Sequence, residues 1–116
     1  METVIYHNPR CSKSRATLQL LRDRGLNPTV IEYLDNPPGK ETLLRILSLL
    51  KLQPRQLMRR AESVYQELGL DNPGLSDDEL IQAMLDNPIL VERPIVLAGG
   101  MARIGRPPEQ VLEILQ

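Results

Sequence analysis

The chain opens with the pattern that most restricts its fold: strand, helix, strand within about thirty residues. Thr3-Val4-Ile5-Tyr6 reads as a short buried strand and ends at the turn residues His7-Asn8-Pro9. Ser12 to Arg24 then has helical character, with Leu18 and Leu21 three apart and Gly25 placed as the stop. Thr29 to Tyr33 is β-branched and reads as a second strand. Two strands joined through a helix lie parallel, because a crossover of this length returns the chain to the same edge.

Ten prolines and seven glycines divide the rest. After Asn36-Pro37-Pro38-Gly39, the residues Leu43, Ile46, Leu47 and Leu50 make one apolar helical stripe. Gln56 to Leu68 suggests more helix, interrupted or bent near Ala61. Ser76 and Glu79 have capping-box spacing, with Leu80, Ile81, Met84 and Leu85 as the buried face behind them. Pro94-Ile95-Val96-Leu97 and Met101-Ala102-Arg103-Ile104 flank Ala98-Gly99-Gly100 and read as a hairpin. Pro107 suits the first position of a final helix carrying Val111, Leu112 and Leu115. The order βαβ, helices, ββα predicts an α/β, thioredoxin-like fold with a mixed four-stranded sheet and a helical insertion over about 40–88. The 116 residues suit a single domain spanning 1–116. With three tyrosines and no Phe or Trp, its core must come from Leu, Ile, Val and Met.

Composition narrows the function. A net charge of −1 gives no general attraction to nucleic acid or to an anionic membrane. No stretch approaches the ~20 apolar residues of a membrane span. The N-terminus does not resemble a signal peptide, since Pro9 and Arg10 follow the short apolar run at once. A cytoplasmic, monomeric protein is the expectation. The single cysteine forbids an internal disulfide, and one cysteine with one histidine cannot supply a usual four-ligand zinc site, so no metal is expected. A redox role for that thiol needs a resolving partner from another molecule.

The densest chemistry lies in His7-Asn8-Pro9-Arg10-Cys11-Ser12-Lys13-Ser14-Arg15. A thiol at a helix start faces unpaired backbone N–H groups and the positive end of the helix dipole. Arg10, Lys13 and Arg15 add positive charge nearby. Both effects favour the thiolate, which is the nucleophile. The same N–H groups can cradle a tetrahedral oxyanion. Most lone cysteines are small buried hydrophobes, but polar and basic neighbours favour a reactive thiol here. His7 could orient the Cys11 turn and stabilise the thiolate, or make one structural hydrogen bond at a strand end. Ser14 sits where a CxxC motif places its second cysteine, and could donate to the thiolate or bond locally within the first helical turn.

This segment resembles the active-site segment of the ArsC family of glutaredoxin-linked arsenate reductases. Further similar stretches follow in order: Tyr33-Leu34 to Pro38, Arg55 to Arg59, Leu68-Gly69-Leu70, Asn87 to Leu90, Glu92 to Val96 and Arg103 to Pro108. Together they cover nearly the whole chain, which looks most like the short, YfgD-type members of the family. The resemblance implies a thioredoxin-like fold and a catalytic Cys11, with His7 and Ser14 matching the family's histidine and serine. Its three oxyanion-binding arginines match Arg59, Arg93 and Arg106, with the adjacent Arg60 as the alternative to Arg59. Pro94 matches the cis proline that usually faces the cysteine in this fold.

The resemblance also implies a reaction. The Cys11 thiolate attacks arsenate, glutathione attacks the adduct as co-substrate, and glutaredoxin resolves the mixed disulfide, with no bound cofactor. Two other readings stand beside it. One is a glutathione-linked oxidoreductase acting on another oxyanion or a protein thiol. The other is a non-enzymatic, polymerase-binding regulator of the Spx type, whose usual CxxC switch Ser14 removes.

Overall fold

Residues 2–115 are described by a computed structural model, in which β1 (Thr3–His7) is the central support of the site. Its neighbours follow from pairing on both sides. The strand β2 (Thr29–Glu32) runs parallel to it, with His7 opposite Glu32. On the other side β3 (Ile95–Ala98) runs antiparallel, with Tyr6 opposite Ile95, and β4 (Met101–Ile104) is antiparallel to β3. The sheet order is β2-β1-β3-β4, the mixed four-stranded sheet of a thioredoxin-like fold. Gly99 and Gly100 both take positive φ in the β3–β4 turn, which glycine adopts without a Cβ penalty.

These directions determine where the chemistry collects. The carboxyl ends of β1 and β2 lie at the same sheet edge as the start of β3 and the end of β4. The segments 8–11, 33–36, 93–94 and 105–107 therefore gather at one rim. Beneath it, α1 (Ser12–Asp23) packs Leu18 and Leu21 against Ile5, Val96 and Ala98. Val111 and Ile114 complete that cluster from the C-terminal segment. Each leucine, isoleucine or valine of the cluster, taken fully out of water, contributes about 1.5–3 kcal/mol. Cys11 starts α1, and Gly25 follows its last turn at φ 78, as the stop signal predicts.

The chain divides into two compact units. One is the sheet unit, made of the residues up to Asn36 and those from Arg93 onward. The other is Pro37–Glu92, close to the insertion expected over about 40–88. It contains α2 (Lys40–Leu50), α3 (Ser63–Glu67) and α4 (Asp77–Asp86). Leu43, Ile46 and Leu47 of α2 are buried as their spacing predicts. Ser76 and Glu79 form the expected capping box, with hydrogen bonds of 3.1 and 3.0 Å. Arg55 ties the unit together by donating to Tyr65 Oη at 3.0 Å, to the Leu70 carbonyl and to the Asn72 carbonyl at 3.0 Å. Among the described residues no helix is long and apolar enough to cross a membrane.

Two segments differ from the sequence reading. The stretch 56–68 is interrupted around Ala61, one of the two expected forms, but it holds less helix than its spacing suggests. A 3-10 turn at Pro54–Leu57 leads into extended Met58, which bridges to Val91, and helix resumes only at Ser63. Pairing with a distant segment has overridden local helical preference. The C-terminal element is a 3-10 helix over Pro108–Ile114, with Pro107 at its N-cap rather than its first position. At three residues per turn Val111 and Ile114 share a face, and both are buried.

Candidate active site

Cys11 occupies the N-cap position of α1, with extended backbone (φ −95, ψ 122) and a half-buried side chain. The neutral thiol makes no capping hydrogen bond. Burial alone would push its pKa up. The N–H of Ser14, the Arg93 side chain and the N–H of Lys13 outweigh that by hydrogen-bonding the thiolate, and the Arg93 charge adds to them. The net result is a thiol pKa below the ordinary 9.0. The sulfur thus takes the role a serine or aspartate plays at other helix starts, at the positive end of the dipole. A depressed pKa also adds to stability above pH 9.0, and that contribution is lost as pH falls through the folded-state value.

The rate of Cys11 alkylation by iodoacetamide is accordingly expected to rise with a midpoint below pH 9.0. Arg93→Ala should move the midpoint upward. A profile centred at the ordinary thiol value, and unmoved by that substitution, would show that the turn does not activate the sulfur.

His7 does not stand against the sulfur as a hydrogen-bond partner. It is buried, and its Nδ1 lies 2.6 Å from the Oγ of fully buried Ser14. The N–H of Asn8 already donates to that Oγ at 3.0 Å. The serine proton is then free to go to Nδ1, which satisfies all three groups with a neutral imidazole protonated at Nε2. Burial lowers the His7 pKa, Glu32 opposes the shift, and the charges of Arg22 and Arg15 reinforce it. Asn8 closes the network: its carbonyl accepts from the Cys11 N–H and its Oδ1 from the Arg10 N–H, each at 3.0 Å. The sequence marks Asn8 only as a turn residue, although Asn before Pro is the signature of a side-chain-closed turn.

The sign of the His7 linkage follows. Below pH 6.5 an unfolded chain takes up a proton that buried His7 resists. Stability should therefore fall as pH drops from 6.5 toward the lower folded-state value. Denaturant midpoints in that range measure the slope, and His7→Gln should flatten it. An unchanged slope in the variant would place the pH sensitivity elsewhere.

Two of the expected arginines meet the thiol within the sheet unit. Arg93 stands close enough to favour the Cys11 thiolate through both its side-chain donors and its charge. Arg106 Nη1 lies 3.9 Å from Cys11 Sγ and donates to the Arg93 carbonyl at 3.3 Å. The Arg93-Pro94 peptide is cis, as expected, and Arg106-Pro107 is cis as well. Gly105, which sequence reasoning passed over, joins the two arginine segments. It is buried, and its N–H donates to the Pro94 carbonyl at 2.9 Å. A Cβ there would lie 2.9 Å from Pro94 Cγ and 3.0 Å from Thr17 Cγ2, closer than side chains pack.

Arg59 belongs to the other unit. Its Nη1 is 2.6 Å from Glu92 and its Nε 3.5 Å from Glu62, so two carboxylates engage it. Its backbone N–H donates to the Leu90 carbonyl at 2.7 Å, while neighbouring Arg60 is exposed. Among the described residues no group of three or more His, Cys, Asp or Glu side chains is placed to hold a metal ion.

Comparisons with known proteins bear on the family and the fold. The family model described as "ArsC family" matches residues 6–114. An uncharacterized protein of Escherichia coli K12, YfgD, is 58% identical over 112 residues, covering 96% of this chain and 94% of its own length. An arsenate reductase of Neisseria meningitidis serogroup A is 51% identical and is covered to 98%, as is this chain. A solved structure described as an arsenate reductase from Vibrio cholerae superposes with a TM-score of 0.97 at 55% identity, over 99% of this chain and 98% of that one.

Proposed function

The chain belongs to the ArsC family, and we propose that it reduces arsenate to arsenite at Cys11. The observation that carries the reading is the convergence of Arg93 and Arg106 on a thiol whose pKa is already depressed. A tetrahedral oxyanion beside the sulfur would meet two guanidinium groups and the first N–H groups of α1, the donors such an anion needs. The high identity to relatives that bear the name arsenate reductase supports arsenate as that oxyanion.

The Cys11 thiolate forms a bond to arsenic, and one arsenate oxygen leaves as water after protonation. An external thiol then attacks the Cys11 sulfur. The S–As bond breaks with its electron pair going to arsenic, so As(V) leaves as As(III) and the two sulfurs form a mixed disulfide. A second external thiol returns Cys11 to the thiolate. Because the chain has one cysteine, both reducing sulfurs come from outside. Glutathione as the first and glutaredoxin as the second fit that requirement. His7, Ser14 and Asn8 act as positioning residues that hold the N–H groups of the turn against the sulfur. Arg59 is proposed as a third oxyanion ligand on family resemblance alone, and its recruitment would require it to release Glu62 or Glu92.

The experiment is arsenate-dependent oxidation of NADPH with glutathione, glutathione reductase and glutaredoxin. Turnover that needs arsenate is expected. Its absence, with glutathione-linked reduction of disulfides retained, would transfer the site to thiol substrates.

A further inference from the structure

A groove of about 270 Å³ opens at the carboxyl ends of parallel β1 and β2, lined by His7, Asn8, Pro9, Arg10, Glu32, Leu34 and Asp35. Cys11, Arg93 and Arg106 are not among its walls. We propose that this groove seats the reducing thiol, and that it selects a small thiol peptide carrying both a free ammonium and a free carboxylate. The proposal rests on the reading that an external thiol attacks the sulfur of Cys11.

Sheet topology is the first support. β1 delivers Cys11 to the rim, with β2 on one side of it and β3 and β4 on the other. Arg93 precedes β3 and Arg106 follows β4, so the oxyanion donors stand on the β3–β4 side of the cysteine. The groove stands on the β2 side. Displacement at a sulfur atom proceeds in line, with the attacking thiol opposite the bond that breaks. An arsenic held toward Arg93 and Arg106 leaves the β2 side as the direction of attack. The carboxyl ends of parallel strands are also where open α/β sheets generally take their ligands.

The lining supplies the second support. Glu32 and Asp35 are exposed carboxylates on one wall, and Arg10 is an exposed cation on another. None of the three makes an ion pair among the described residues. A zwitterion can meet both signs at once, its ammonium on the carboxylates and its carboxylate on Arg10. His7 forms part of the wall, and with Nδ1 taken by Ser14 its remaining ring nitrogen is Nε2. Reach is adequate. Arg10 adjoins Cys11, a step of about 3.8 Å, whereas an extended tripeptide spans roughly 10 Å.

S-methylglutathione, whose blocked sulfur cannot react, tests the groove without turnover. In titrations of the whole protein it should saturably shift the His7 ring resonances and the amide resonances of Glu32, Leu34 and Asp35. N-acetylation of the ligand should weaken binding about tenfold, the scale of one charge-assisted contact. In turnover, Glu32→Gln combined with Asp35→Asn should lower the preference for glutathione over uncharged 2-mercaptoethanol by about tenfold. Shifts centred on Pro94 and Arg106 instead, or an unaltered thiol preference in the double variant, would overturn the proposal. Failure of every thiol to support arsenate turnover would remove the proposed function, and the S-methylglutathione titration would still decide the groove.

Discussion

Cys11→Ser is expected to lower arsenate reduction by on the order of a thousandfold or more, the scale of deleting an enzyme's attacking atom. Serine keeps the N-cap and is itself a good capping residue, so the fold should survive or gain slightly. What disappears is a nucleophile that ionises below the ordinary thiol value and can carry a sulfur–sulfur bond. The hydroxyl of serine does neither. Arsenate binding should persist in the variant, because the Arg106 guanidinium is also held by the Arg93 carbonyl and serine leaves the backbone of the turn in place. Loss of turnover with arsenate binding retained, measured by equilibrium dialysis, is the expected pair of results. Turnover comparable to wild type would remove Cys11 from the chemistry.

Gly105→Ala should cause the second large effect, through packing. The added Cβ has Pro94 on one side and Thr17 on the other, both buried. Thr17 cannot turn aside cheaply, because its Oγ1 donates to the Lys13 carbonyl at 2.8 Å in the first turn of α1. Overpacking of this kind costs about 1–3 kcal/mol, or a fall in Tm of roughly 5–15 °C for a domain of this size. Relief by backbone movement would shift the residues next to the clash, which are Arg106, Pro94 and through it Arg93. A displacement near 1 Å of such groups lowers kcat/KM by roughly 10- to 100-fold. Gly39→Ala is the control, since a Cβ at Gly39 meets nothing within 4 Å. Calorimetry and steady-state rates on the two variants check the account. Wild-type values for Gly105→Ala would contradict it.

What could be read from the sequence divides by the range of the interactions involved. The capping box of α4, the glycine stop of α1 and the β3–β4 turn each depend on residues within a few positions, so their signals were local. Cys11 was legible for the same reason, because a helix start and its basic neighbours are written in adjacent residues. Met58 was not legible as extended, since its bridge partner Val91 is far along the chain, and the paired N–H of Arg59 and Glu92 reinforce that ladder. The 3-10 form of 108–114 depends on which of its apolar residues meets the core, and the spacing of Val111, Leu112 and Leu115 alone does not decide that.

The site shows the same division. Arg93 and Arg106 were named through resemblance, but nothing in their own neighbourhood singles them out from twelve other basic residues among fourteen. Their convergence on Cys11 comes from the antiparallel turn of β3 and β4, which returns residue 106 to the rim where residue 93 departs. Gly105 was silent because its constraint is the approach of Thr17 and Pro94, distant in sequence. His7 had two readings in sequence, and its hydrogen bond to Ser14 assigns it to the support of the turn.

The central claim is that arsenate bonds to the Cys11 sulfur under the two guanidinium groups. Anomalous scattering from crystals soaked in arsenate, with no thiol present, tests it most directly. The expected result is an arsenic peak at covalent distance from Cys11 Sγ, with its oxygens directed at Arg93 and Arg106. Arsenic bound elsewhere, or an unmodified Cys11 at saturating arsenate, would contradict it.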